Sequence, residues 1–145
     1  MKFLAVALAS LVAAVSAQTV SIGSPADGSS ITPGDNITVQ VLRPDSLTGS
    51  QEVALVISVV GCPENGCLGP SEVLGTTLYQ GGFNPQFPPP GSRTPQDAPQ
   101  QNFTVALPTN LQSGGKAQLS VVHLALVGAG PYPMFELKNV TLNIN

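Results

Sequence analysis

The chain has 145 residues, with 5 Lys and Arg against 8 Asp and Glu, a formal net charge of −3 and a pI near 4.7. It is rich in Gly and Pro, and carries two Cys, one His and no Trp. That balance suits one domain of ordinary size, and the lack of any basic cluster excludes an electrostatic grip on nucleic acid or on an anionic membrane surface.

The first element in chain order is a leader. Lys2 supplies a positive n-region, and Phe3 through Val15 form an apolar core shorter than the roughly 20 residues a membrane span needs. Small residues at Val15 and Ala17 frame a cleavage point before Gln18. Residues 1–17 are therefore predicted to be a secretory signal peptide, leaving 18–145 as a single domain. Removal of Lys2 with the leader leaves four basic residues against eight acidic ones. Asn139 to Asn145 contain no hydrophobic tail, so a freely secreted protein without membrane anchor is expected.

The mature chain reads as all-β, with strands predicted over residues 19–24, 36–43, 52–60, 72–80, 102–107, 117–127 and 135–144. Ile37, Val39 and Val41 alternate with Thr38 and Gln40, the period of a half-buried strand. The last strand repeats the pattern through Leu137, Val140, Leu142 and Ile144 if the register slips at Lys138-Asn139. The runs from Val53 to Val60 and from Leu119 to Val127 are almost continuously apolar and suit central strands covered on both faces. Turn residues separate the strands: Pro25-Ala26-Asp27-Gly28, Pro33-Gly34-Asp35, Asn65-Gly66, Ser113-Gly114-Gly115 and Gly128-Ala129-Gly130-Pro131. About seven short strands at this spacing imply an immunoglobulin- or fibronectin-like β-sandwich, with a closed barrel as the alternative.

Between residues 81 and 100 stand Pro85, Pro88, Pro89, Pro90, Pro95 and Pro99, with Phe83 and Phe87 among them. Missing N–H groups exclude this stretch from a sheet interior and favour an extended surface loop. Two readings compete: a docking segment anchored by both phenylalanines, or a rigid connector whose phenylalanines cover an open end of the core.

Cys62 and Cys67 enclose Pro-Glu-Asn-Gly. In an oxidising route they are expected to pair as a staple at a hairpin tip, with Asn65-Gly66 turning the chain. A zinc site wants about four protein ligands, and the spacing is not that of a redox pair.

The search for catalytic machinery finds little. His123 lies inside the strongest strand run and reads as a satisfied sheet residue. No Gly-x-Ser-x-Gly elbow and no phosphate-cradling glycine loop occurs. Asp27, Asp35, Glu64 and Glu72 sit at predicted loops or strand ends, with nothing to hold a pair at the separation a glycosidase requires. No enzyme activity, metal or cofactor is expected. A cleft in which His123 met converging carboxylates would overturn that expectation. Turnover lost on Asp35→Asn or Glu72→Gln would do the same. Three sequons, Asn36-Ile37-Thr38, Asn102-Phe103-Thr104 and Asn139-Val140-Thr141, mark glycosylation candidates at Asn36, Asn102 and Asn139.

Several segments in order resemble one family. They are Ile31-Thr32-Pro33-Gly34-Asp35, Gln51-Glu52-Val53-Ala54-Leu55, Leu74-Gly75-Thr76 with Tyr79 and Phe83, Phe103 with Leu107-Pro108, Gly115-Lys116, Leu119-Ser120-Val121, Gly128-Ala129 and Asn139-Val140-Thr141. Together they resemble the small fungal secreted proteins of the necrosis-inducing effector group. The Cys62–Cys67 loop and the length of the Pro-rich stretch depart from that pattern. The resemblance implies a non-enzymatic effector that binds host receptor-associated kinases and suppresses plant pattern-triggered immunity, acting outside host cells or within them. The alternative is a cell-wall-associated structural or polysaccharide-binding module, against which the absence of Trp for sugar stacking speaks.

Overall fold

The computed structural model describes residues 19–46, 48–94 and 97–145. The predicted leader and Pro95 lie outside the described residues. Eight strands follow in order: β1 (Ser21–Ser24), β2 (Ser30–Ile31), β3 (Asn36–Leu42), β4 (Ser50–Gly61), β5 (Thr76–Gly81), β6 (Gln100–Ala106), β7 (Lys116–Val127) and β8 (Tyr132–Ile144). The described residues include no helix.

The strands form a three-stranded sheet ordered β1-β3-β6 and a five-stranded sheet ordered β2-β8-β7-β4-β5. No ladder joins the two, so the architecture is a β-sandwich and the closed barrel falls away. Alternation decides each inner face. In β3 and β6, Val39, Val41, Phe103 and Val105 turn inward, while Asn36, Thr38, Asn102 and Thr104 turn out. Opposite them, Leu55, Ile57 and Val59 of β4 and Ala117, Leu119 and Val121 of β7 complete a core with Leu142 and Ile144 of β8.

Several expectations change. β8 pairs with β7 without interruption from Tyr132 to Asn143, so no slip occurs at Lys138-Asn139. Leu137 therefore faces outward, and Glu136, not an apolar residue, holds the inward place. The strand expected to begin at Glu72 begins at Thr76, because the backbone N–H groups of Glu72 and Val73 bond to the Gly69 carbonyl in a turn. The segment 62–75 instead lies over the outer face of the five-stranded sheet at one end. There Gln118 accepts from the Gly69 N–H at 2.9 Å and donates to the Val73 carbonyl at 3.4 Å. This cover buries Gln118 fully. The sheet is thus covered on both faces only at that end, while Val53 at the other is 45% exposed.

The Pro-rich stretch crosses from β5 of one sheet to β6 of the other. Among its described residues it meets the sheets through the Gln86–Gln100 bridge and through the Pro99 carbonyl, which accepts the Arg43 N–H at 2.7 Å. Its two phenylalanines part company. Phe83 is buried against Phe103 and His123 and closes the core, whereas Phe87 lies at the surface beneath Arg93. The connector reading holds for Phe83, and neither reading covers both residues.

Candidate functional site

The sequence candidates scatter. Cys62 and Cys67 form the expected disulfide with Cα atoms 4.6 Å apart. The turn inside it runs from Pro63 to Gly66, closed by the Gly66 N–H on the Pro63 carbonyl at 3.0 Å. Glu64 and Asn65, not Asn65 and Gly66, occupy its centre. Asp27 accepts the Thr141 N–H at 2.7 Å and ties the first turn to β8. Asp35 contributes its backbone carbonyl to Leu107. Glu64 and Glu72 are exposed. None of these four carboxylates meets another. Asn36 and Asn102 are exposed on the outer face of the three-stranded sheet, and Asn139 is exposed on the outer face of the five-stranded one. Of the two tyrosines, Tyr79 packs on Phe103 with ring centroids 4.5 Å apart, and Tyr132 is 69% exposed.

Two carboxylates that the sequence reading passed over do converge, and they converge on His123. Glu136 lies directly across the β7–β8 ladder from His123 on the same inner face, and its Oε2 meets the ring Nδ1 at 2.9 Å. Glu52 arrives by a different route. A β-bulge between Glu52 and Ala54 inserts Val53 as an unpaired residue, so Glu52 recovers the inward face beside Leu55. Its Oε2 then hydrogen-bonds the ring Nε2, while its Oε1 accepts from Arg43 Nε at 3.1 Å and from Ser50 Oγ at 3.1 Å. The Glu136 carboxylate also accepts the Val20 N–H, at 3.2 Å through Oε1. Phe83 closes the site edge-on to the imidazole, with centroids 5.5 Å apart.

The charges in this network balance through geometry. A carboxylate only accepts, so a ring facing one at each nitrogen is satisfied when both nitrogens carry protons. The imidazolium and the Arg43 guanidinium then offset Glu52 and Glu136. Burial pushes the Glu52 carboxyl up, but the hydrogen bond and charge of His123, with those of Arg43, outweigh it and hold the group below its ordinary value. His123 has no exposed surface. A hollow of about 310 Å³ beside it is lined by Arg43 and Glu52 together with Asp45, Ser50, Asn84 and Pro99, and does not reach the imidazole. A roomier hollow of about 590 Å³ lies at the opposite end, beside Cys62, Gly75 and Lys116, far from these charges. With both ring nitrogens committed to carboxylates and no opening onto them, the arrangement cross-braces the sheets.

The outer face of the five-stranded sheet differs in character. Register places Ala54, Leu124 and Phe135 in one row across β4, β7 and β8, with Gln51, Leu126 and Pro133 in the row on one side. Gln80, Val56, Val122 and Leu137 form the row on the other. Beyond them the rows turn polar, through Thr77, Ser58, Ser120 and Asn139. No charged residue occupies any of these positions, and Phe135 is 64% exposed.

A disulfide-stapled sandwich with a largely buried ionic network and one uncharged apolar face belongs to the class of compact β-sandwich scaffolds. Within that class the comparison with protein families is specific: the chain belongs to the Nis1 family, whose profile matches residues 15–143. This is a fungal effector-like family, and every segment that carried the resemblance falls inside the match. The comparison with curated proteins returned no match.

Proposed function

We propose that the protein is a secreted, non-enzymatic effector that works by binding a host protein through the outer face of its five-stranded sheet. The observation that carries this reading is the charge-free apolar field around Phe135. A monomer of an acidic chain seldom leaves such a face bare unless something docks there. The aromatic on its β8 margin is the residue type that anchors interfaces. Family membership and the disulfide support export, and the resemblance to necrosis-inducing effectors supports receptor-associated immune kinases as the target class. Glycans on Asn36 and Asn102 would cover the opposite, three-stranded face and leave the Phe135 field as the free protein surface. A glycan on Asn139 would border that field.

The test is capture of plant receptor-like kinase domains by the purified, folded protein, with autophosphorylation measured alongside. Binding and a lowered phosphorylation signal, both lost in Phe135→Ser, are expected. A folded protein that binds no such kinase, or that binds equally well as Phe135→Ser, would reject the proposal. Retention on insoluble chitin or glucan in place of kinase binding would favour the cell-wall reading.

A further inference from the structure

The five-stranded sheet has an unfinished side. β2 covers β8 only at Ser30–Asn143 and Ile31–Ile144. The direction of the backbone groups along the rest of β8 follows from its last residues. Thr141 sends its N–H to Asp27 and receives the Gly28 N–H on its carbonyl, and the Asn143 N–H bonds to Ser29, so these odd-numbered residues face away from β7. Ile144 bonds on the other side, with Gly115 and Gly114 just before β7. The ladder is continuous, so the alternation persists along the strand. Phe135, Leu137 and Asn139 therefore present their N–H and C=O groups to the open edge, and none of these has a partner among the described residues. Pro133, next in the series, lacks the N–H altogether.

An unpaired backbone ladder is satisfied by another extended polypeptide. We infer that the occupant is a second copy of this chain, with β8 pairing antiparallel to β8 about a twofold axis through Leu137. Only outward-facing residues can pair across the edge, so the candidate registers are few, and charge selects among them. Centred on Leu137, the pairing sets Phe135 opposite Asn139 of the second copy. On the inner face it sets Glu136 opposite Lys138, twice by symmetry. A register shifted to pair Phe135 with Leu137 opposes two Glu136 residues, and one that pairs Leu137 with Asn139 opposes two Lys138 residues. Both juxtapose like charges. Lys138 makes no ion pair among the described residues, while Glu136 already bonds His123 and Val20 and has lone pairs to spare. The result is an isologous dimer with one continuous sheet, in which the two Phe135 fields become neighbours. A sugar on Asn139 would stand on the sheet face and leave the edge open. This inference is independent of what the Phe135 field binds.

Sedimentation of the whole chain, produced by secretion so that its disulfide forms, reads the oligomeric state directly. A concentration-dependent dimer is expected. Leu137→Pro deletes an outward N–H without touching the β7 ladder, so it should keep the native circular dichroism yet sediment as a monomer. Lys138→Glu should weaken the dimer about tenfold. Leu137→Cys should cross-link across the axis, where paired Cα atoms stand about 5.5 Å apart. Phe135→Cys should not, because each copy meets Asn139. A monomer at every concentration overturns the inference, as does cross-linking of Phe135→Cys equal to that of Leu137→Cys. Stronger association in Lys138→Glu would also overturn it, showing instead that Lys138 guards the edge against pairing.

Discussion

Replacing Glu52 with Gln isolates the ionic network with almost no change in volume. In the native site one carboxylate oxygen accepts from Arg43 Nε at 3.1 Å and the other from His123, with the Arg43 and Glu52 side chains only 6% and 14% exposed. An amide has a single oxygen. It must turn its NH₂ either against the Arg43 donor or toward the His123 ring, which then has to give up its Nε2 proton to accept it, and in both cases it no longer offsets the guanidinium. Removing one partner of a buried pair costs about 3–5 kcal/mol, and the surviving amide oxygen places this case near the lower end, at about 3 kcal/mol. That is a large share of the roughly 5–15 kcal/mol by which a domain is stable. Thermal unfolding followed by circular dichroism should shift down by roughly 10 °C, and the urea midpoint by about 1.5 M. The pH dependence supplies an internal control. His123 and Arg43 hold the folded Glu52 carboxyl below its ordinary value against the opposing effect of burial. A carboxyl so lowered contributes stability that is present above its unfolded value and is lost as pH falls through the folded one. The stability gap between wild type and Glu52→Gln should therefore be full at neutral pH and shrink once pH falls below the ordinary carboxylate range, where the native carboxyl also becomes neutral. A loss under about 1 kcal/mol at pH 7, or a gap that stays constant into acid, would refute the reasoning.

Three further outcomes are expected. Gly75 has φ +74°, and a Cβ there would fall 2.4 Å from the Val59 carbonyl oxygen and 2.5 Å from Val60 Cβ. Gly75→Ala should thus cost more than about 2 kcal/mol, against about 1 kcal/mol for Gly66→Ala, where φ is +109° but the space is open; thermal melts of the pair compare them. Phe83→Ala should lose about 3–5 kcal/mol by opening the core over His123, while Phe87→Ala stays within about 1 kcal/mol, because only Arg93 stacks on that ring. Replacing Cys62 and Cys67 by Ser should lower stability by about 2 kcal/mol in urea titration, the loop-entropy value for so short a ring.

Local chemistry made much of the architecture legible. The alternation of Ile37, Val39 and Val41 located β3, the apolar runs located β4 and β7, and missing N–H groups kept the stretch around Pro88 out of the sheets. The disulfide followed from proximity in sequence. The errors share one cause. The segment after Gly69 and the supposed slip near Asn139 were judged on whether residues are apolar, when the outcome was set by what lay on top of them. Segment 62–75 covers Gln118, and His123 gives Glu136 a reason to point inward. The network itself was invisible for the same reason. Glu52 looked like the polar start of an apolar strand until the bulge at Val53 turned it toward the core.

The order of residues alone therefore determined the class: an all-β chain with a local covalent staple, because strand periodicity, turn residues and close cysteine spacing act over a few neighbouring positions. Tertiary structure decided how charge is distributed. Residues 71, 13 and 9 positions apart were brought together into the largely buried Glu52–His123, His123–Glu136 and Arg43–Glu52 contacts, and the three apolar rows were left facing water. Both depend on strand register, which arises only when the sheets assemble, and no single segment carries it.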